Sequence, residues 1–187
     1  ARIRTVKKEN ESPDSPEMKI NISAETGTFY NISFKRLHTE LAYEKRVLNV
    51  QALEAASMGG KVSTKGKIDM NGPMPRYQTK FSVDKISAEE LIKRSGWKNA
   101  TIIGPFSAQG ELAVMGGTLS DMKKTVQGRV TVNMGKGVIR DYPILSKIFS
   151  ILNVSQLFKF QLPDMVSDGM PYNEINANFL FGDGFVS

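Results

Sequence analysis

Apolar and polar residues alternate with period two along much of this chain, and this alternation limits the fold more than any other feature. Between Met18 and Phe34 the even positions are mostly apolar and the odd positions mostly polar, with Phe29 as the apolar exception. Side chains two residues apart point the same way along a β-strand, so the pattern predicts strands with one apolar and one polar face. Glu25-Thr26-Gly27 is the predicted turn of a hairpin in this segment. The even positions are Met18, Ile20, Ile22, Ala24, Thr26, Thr28, Tyr30, Ile32 and Phe34.

The same alternation recurs downstream in short segments, most of which are joined by glycine-containing turns. Strands linked in this way pair with their chain neighbours in antiparallel order. We therefore expect a mainly β fold, with a curved antiparallel sheet that is groove-like and partly open, in a single β-groove domain over residues 1–187. The predicted strands are Leu48–Ala52, Val62–Met70, Tyr77–Val83, Phe106–Met115, Thr125–Met134 and Ile175–Phe181.

Two segments are predicted to be short helices, near residues 87–95 and 143–153. Ser87 and Glu90 have the spacing of a capping box at the start of the first helix. The second begins at Pro143, and its apolar residues are too many for a solvated helix. Residues 8–17 contain two prolines and several charges, which predicts a mobile loop. A final hairpin around Gly182-Asp183-Gly184 has a second strand of three residues, which suggests a fragment of a longer chain.

The residues of catalytic and metal sites are scarce. The chain has no cysteine and one histidine, His38, so it lacks the residues of a typical zinc or facial-triad site. Gly59-Gly60-Lys61 is followed by Val62 where a phosphate loop requires Ser or Thr. The net charge of +6 comes from dispersed basic residues, which is not the pattern of a nucleic-acid binder. We expect no metal, no cofactor, no nucleic-acid partner and no enzymatic activity.

The last third of the chain contains strands, turns and an apolar segment in a specific order. Two segments further upstream, Phe81–Ile92 and Gly110-Glu111-Leu112, belong to the same arrangement. Over residues 45–187, approximately, the arrangement resembles the C-terminal module of the AsmA-like family of envelope proteins (the AsmA, TamB and YhdP type). The parts are the strand Gly128–Met134, then Gly135-Lys136-Gly137, the apolar segment Pro143–Asn153, Leu162-Pro163-Asp164, Asp168-Gly169-Met170-Pro171-Tyr172, and a strand that ends in Gly182-Asp183-Gly184.

The resemblance implies a protein of the Gram-negative envelope that lies in the periplasm and is tethered to the inner membrane by a segment absent from this chain. It implies a long curved β-sheet whose apolar inner surface conducts phospholipid acyl chains. The function would be phospholipid transport between the inner and outer membranes, in support of outer-membrane biogenesis and lipid homeostasis. The implied partners are phospholipid acyl chains and the envelope membranes, with an outer-membrane or envelope protein as a further candidate.

Alternation alone leaves two structures open, because an apolar face can line an open groove or fill a closed sandwich core. It also leaves an alternative function, a protein-interaction or chaperone-like module that assists outer-membrane protein assembly through an exposed strand edge. The residues predicted to line a groove are Ile20, Ile22, Tyr30, Ile32, Phe34, Leu48, Val50, Val62, Ile68, Met70, Phe106, Leu112, Val114, Val130, Val132, Met134, Phe179 and Phe181.

Overall fold

Strands make up most of the computed structural model, which describes residues 2–7, 17–95, 102–140, 169–182 and 185–186. The strands are β1 (Arg2–Lys7), β2 (Met18–Phe29), β3 (Ile32–Glu44), β4 (Val47–Ser57), β5 (Gly60–Asp69), β6 (Arg76–Ser87), β7 (Ile102–Ile103), β8 (Pro105–Met115), β9 (Gln127–Met134), β10 (Gly137–Ile139), β11 (Met170–Tyr172), β12 (Ile175–Gly182) and β13 (Phe185–Val186). The helices are α1 (Ala88–Ser95) and α2 (Leu119–Thr125).

A ten-stranded sheet contains most of these strands in the order β1-β2-β3-β4-β5-β6-β8-β9-β12-β13. All of its neighbouring strands are antiparallel. Its end strands, β1 and β13, do not pair with each other, so the sheet formed by the described strands is open and not a barrel. Strands β11, β10 and β7 form a separate three-stranded sheet in that order. The mainly β, antiparallel and partly open fold predicted from the sequence is confirmed.

Two-residue turns join β2 through β5 into one meander. Both residues of each turn have positive φ, as in the type I′ turns that match the right-handed twist of hairpin strands. These turns are Tyr30–Asn31 (φ 43° and 64°), Lys45–Arg46 (47° and 59°) and Met58–Gly59 (49° and 81°).

The predicted hairpin turn at Glu25-Thr26-Gly27 is wrong, because β2 continues through these residues to Phe29. Gly27 is instead a position of close approach between β2 and β3. A Cβ atom at Gly27 would collide with the ring of Phe34, its register partner on β3. The absence of a side chain therefore makes room for an aromatic ring rather than for a turn.

Helix α1 confirms the prediction near residues 87–95. The Glu90 amide donates to Ser87 Oγ at 3.2 Å, which is the N-cap half of the capping box. The other half does not form, since the Ser87 amide donates to the Met58 carbonyl at 2.7 Å. The second predicted helix, 143–153, and the predicted loop, apart from Glu17, lie outside the described residues.

Helix α2 was not predicted, and the predicted strand that starts at Thr125 begins at Gln127 instead. Thr118 caps this helix by accepting from the Asp121 amide at 3.2 Å. Thr125 at its other end accepts from the Met115 amide at 3.0 Å, which fastens the helix to the end of β8. With seven residues and no buried side chain, α2 is too short to give a clear helical period in the sequence.

A small packed core lies at one end of the large sheet, where β6 leads into α1 and β7 leads into β8. The Ala88 amide donates to the Gly104 carbonyl at 3.0 Å, and the Tyr172 hydroxyl donates to the Ile103 carbonyl at 3.1 Å. Burial raises the pKa of that tyrosine above its ordinary value. In the described part of the chain, the buried apolar side chains are Ile86, Ala88, Ile92, Ala108 and Ile139.

Candidate functional site

One face of the ten-stranded sheet is apolar from strand to strand, and we call it the apolar face. Residues that are directly opposite on neighbouring strands share a face, so the register defines rows across the sheet. One row is Met18, Tyr43, Leu48, Ile68, Tyr77 and Val114, and another is Ala55, Val62, Val83, Ala108, Val132 and Ala177. Two further rows lie between these. The first is Ile20, Leu41, Val50, Gly66, Thr79, Leu112, Gly128 and Phe181. The second is Ile22, Thr39, Leu53, Thr64, Phe81, Gly110, Val130 and Phe179.

These rows contain no charged residue. A closed sandwich would bury their side chains against a second sheet. Most of them are half-buried instead, and Phe179 is 37% exposed. Among the described side chains of this face, the buried ones are Thr39, Ser57, Ile86 and Ala108. Within the described residues, therefore, the apolar face is largely open rather than the inside of a sandwich.

The hydroxyl groups on the apolar face bond within the sheet. Thr39 Oγ1 donates to the Ala52 carbonyl at 2.8 Å, and Ser57 Oγ donates to the Ser33 carbonyl at 2.8 Å. The hydroxyls of Thr64 and Thr79 lie 2.9 Å apart and bond to each other. A polar group that is already hydrogen-bonded offers little to a ligand, so these positions leave the face apolar in effect.

Irregularities in β3, β4 and β6 change the spacing between apolar residues in the sequence. Because of them, the apolar residues of each strand stay on the same face of the sheet. In β3 the half-buried positions change from even to odd at Arg36, which has a φ of 51°. In β4 the register shifts between Val50 and Leu53. In β6 a similar shift precedes Ile86, next to Lys85 with a φ of 51°. Such β-bulges also increase the local twist of a sheet.

Glycines in the rows mark places where neighbouring strands approach very closely. A Cβ on Gly66 would lie far inside contact distance of the Gln78 carbonyl oxygen. A Cβ on Gly110 would meet the Arg129 carbonyl oxygen, and one on Gly128 would meet the Glu111 carbonyl oxygen in the same way. These positions require glycine for steric reasons, as expected for residues in a strongly shaped sheet.

The opposite, polar face contains a hollow of about 980 Å³ over the middle of the sheet. A row of charged residues crosses it: Lys65, Lys80, Glu111 and Arg129 are successive register partners on β5, β6, β8 and β9. Lys80 Nζ bonds to Glu111 Oε1, and this bond lowers the pKa of the Glu111 carboxyl, with smaller contributions from Lys65 and Arg129. A second hollow over the middle of the sheet, whose lining includes Gln51, Lys67 and Gln78, also lies on the polar side.

The structure places the residues that the sequence predicted to line a groove on the apolar face, except for two. One of the two lies in a turn, and the other lies at the margin of the face. Tyr30 is the turn residue, with 86% of its surface exposed, and its ring packs edge-on against Phe29 at 4.7 Å. Met70 is at the margin, directly after the last residue of β5. Ile32 and Phe34 are half-buried at the hairpin end of β3.

Sequence reasoning missed the second half of β3, where Leu37, Thr39, Leu41 and Tyr43 belong to the apolar face. These odd positions alternate with polar residues and could have been found, but the change of parity at Arg36 hid them. His38, between Leu37 and Thr39, is exposed. Its Nε2 lies 3.1 Å from Glu40 Oε1.

Among the residues that the structure describes, no cluster of His, Cys, Asp or Glu could hold a metal ion. The described helices are also too short to span a bilayer. Comparison of the chain with protein-family models, with curated proteins and with solved structures finds no match.

Proposed function

We propose that the apolar face binds phospholipid acyl chains and is part of an AsmA-like route for phospholipids between the inner and outer membranes. The supporting observation is that this face extends from β2 to β12 and that most of its side chains are only half-buried. Neighbouring strands lie about 4.8 Å apart, so the face is on the order of 30 Å wide. The protein would lie in the periplasm, tethered to the inner membrane by another segment.

The chemistry of the face suits a ligand without polar groups. Its backbone amides and carbonyls are paired in the strand ladders, and its hydroxyls bond within the sheet. Binding would depend on the apolar area removed from water, at about 0.8 kcal/mol for each fully buried methylene. Since successive rows are chemically alike, a chain would gain similar energy at each position and could slide without a large barrier.

A photo-crosslinker tests this proposal with matched neighbours on opposite faces. The probe is placed in the full-length protein at Val132 on the apolar face and at Asn133 on the polar face, both of which are half-buried. Ile32 and Ser33 form a second pair near the hairpin end. We expect lipid adducts at Val132 and Ile32 but not at Asn133 or Ser33. Equal labelling of both members of each pair, or no lipid adduct at any position, would contradict the proposal.

A second candidate function is a module that assists outer-membrane protein assembly by adding a strand to the sheet. The observation that favours it is the outer edge of β12, which pairs with β13 only at Phe181 and Gly182. Among the described residues, no strand lies beside Ile175–Leu180 on that side, and an unpaired edge can accept another strand. Crosslinkers at Asn176 and Asn178 distinguish this function, because it predicts protein adducts there and no lipid adduct at Val132.

A further inference from the structure

The row of Lys65, Lys80, Glu111 and Arg129 places three cations and one carboxylate side by side on the polar face. Lys65 and Lys80 are directly opposite each other on β5 and β6. Like charges in this position destabilise a sheet. The Glu111 carboxylate neutralises one of them through its bond to Lys80. Neither Lys65 nor Arg129 has an ion-pair partner within 4.0 Å in the described part of the chain.

A second row of neutral donors lies on the same face, two residues along each strand. Ser63, Ser82 and Gln109 are successive register partners. Their side chains make no hydrogen bond with any other described residue. They line the same hollow as the charged row, with Glu54 also in its wall. The cations of the hollow are Lys65, Lys80 and Arg129, and its carboxylates are Glu54 and Glu111. The hollow therefore has one excess positive charge.

We propose that this hollow binds a phosphate group, held between Lys65 and Arg129 and the neighbouring hydroxyl and amide side chains. A guanidinium offers two parallel N–H donors that match two phosphate oxygens, and an ammonium adds a point charge. A singly charged phosphodiester matches the single excess charge of the hollow. The site is on the opposite face from the acyl-chain surface, so it does not depend on the proposed function.

The test is a titration of the protein with inorganic phosphate, followed by the amide chemical shifts of Lys65, Ser82 and Arg129. A second titration uses glycerophosphoethanolamine, a phospholipid headgroup without acyl chains. We expect saturable shifts at the hollow with one or both ligands. The ligand with the lower Kd identifies the source as free phosphate or as a lipid headgroup. No saturable shift with either ligand at concentrations up to tens of millimolar would overturn the proposal.

Three variants make the test specific. Lys65→Gln is expected to raise the Kd about tenfold, since it removes one charge-assisted hydrogen bond. Arg129→Lys keeps the charge but loses the fork of donors, and we also expect weaker binding. Lys61→Gln is the matched control, because it removes the same charge from the same face of β5 but from outside the hollow. If Lys61→Gln weakened binding as much as Lys65→Gln, only net charge would be involved and the site would be refuted.

Discussion

Glycine has a structural role at several positions of the large sheet, and the role differs from one position to the next. At Gly59 the backbone φ of 81° belongs to a turn, whereas at Gly66 no turn is involved. Gly66 lies within β5, and the Gln78 carbonyl oxygen of β6 occupies the space that a Cβ atom would need. A backbone carbonyl cannot move aside as the end of a flexible side chain can.

We therefore expect Gly66→Ala to lower the free energy of unfolding by about 1–3 kcal/mol, as overpacking within a well-packed structure does. Gly72→Ala is the matched control, because the nearest atom to its Cβ would be the Met74 carbonyl oxygen at 3.5 Å. Urea denaturation of the two variants measures the difference. Equal midpoints for Gly66→Ala and Gly72→Ala would contradict the steric role of Gly66.

Individual residues also explain where sequence reasoning failed. Glycine within Glu25-Thr26-Gly27 favours a turn, but the turn is formed by Tyr30 and Asn31, with φ of 43° and 64°. Asn tolerates positive φ, whereas Tyr has no special preference for it. Nothing in the local sequence therefore identified Tyr30 as a turn residue, and the even-position rule placed it in the groove.

Strands are the elements that the sequence predicted best, because each regular stretch keeps its parity. Along β2 from Met18 to Ala24, and along β8 and β9, alternation alone was enough to assign the face. It failed where a bulge changes the parity, as at Arg36 in β3. A bulge depends on the pairing of two strands and has no strong signature in one strand.

The bulge at Gln51 gives a sharp test of this reasoning. Val50 and Leu53 pair with Gly66 and Thr64, so β4 has one residue more than β5 in this interval. The deletion of Gln51 would remove this extra residue of β4 against both β3 and β5 and leave each apolar residue on its face, while the separate register shift near Arg36 of β3 would remain. We expect this deletion variant to fold cooperatively, with a midpoint of thermal unfolding close to that of the parent protein.

The deletion of Ser63 is the matched comparison, because β5 is regular against β6 from Lys61 to Asp69. A one-residue slip there moves one half of the strand to the wrong face. We expect this variant not to fold, as measured by near-UV circular dichroism and the dispersion of amide resonances. If both deletions behaved alike, the assignment of the extra residue to β4 would be wrong.

At the scale of the whole molecule, the two ends of the apolar face differ in burial. Ile86, at the end next to α1, is 3% exposed, whereas Ile68 on β5 is only half-buried. The sequence predicted Ile68 for the apolar face, made no such assignment for Ile86, and did not indicate which residues of the face would be covered. Alternation reports the side of the strand and contains no information about what lies over it.

Replacing each of these isoleucines by asparagine compares the two environments with identical chemistry. Ile86→Asn leaves an amide in the packed end, and we expect a loss of about 4 kcal/mol or complete unfolding. Ile68→Asn forfeits roughly half the transfer free energy of a buried isoleucine, about 1 kcal/mol. Chemical denaturation of both variants measures this contrast. Equal losses would mean that the end of the apolar face at Ile68 is as well covered as the end next to α1.

The order of strands in the large sheet follows the order of the chain, so each strand pairs only with the strands of this sheet that come before and after it, although β10 and β11 lie between β9 and β12 in the sequence. We expect the stability of such a sheet to be approximately a sum of nearest-neighbour terms, as it is in repeat proteins. Insertion of one further hairpin between two turns would lengthen the sheet without changing any existing pairing beyond the insertion site. The width of the apolar face is therefore a quantity that gene duplication can adjust in increments of two strands.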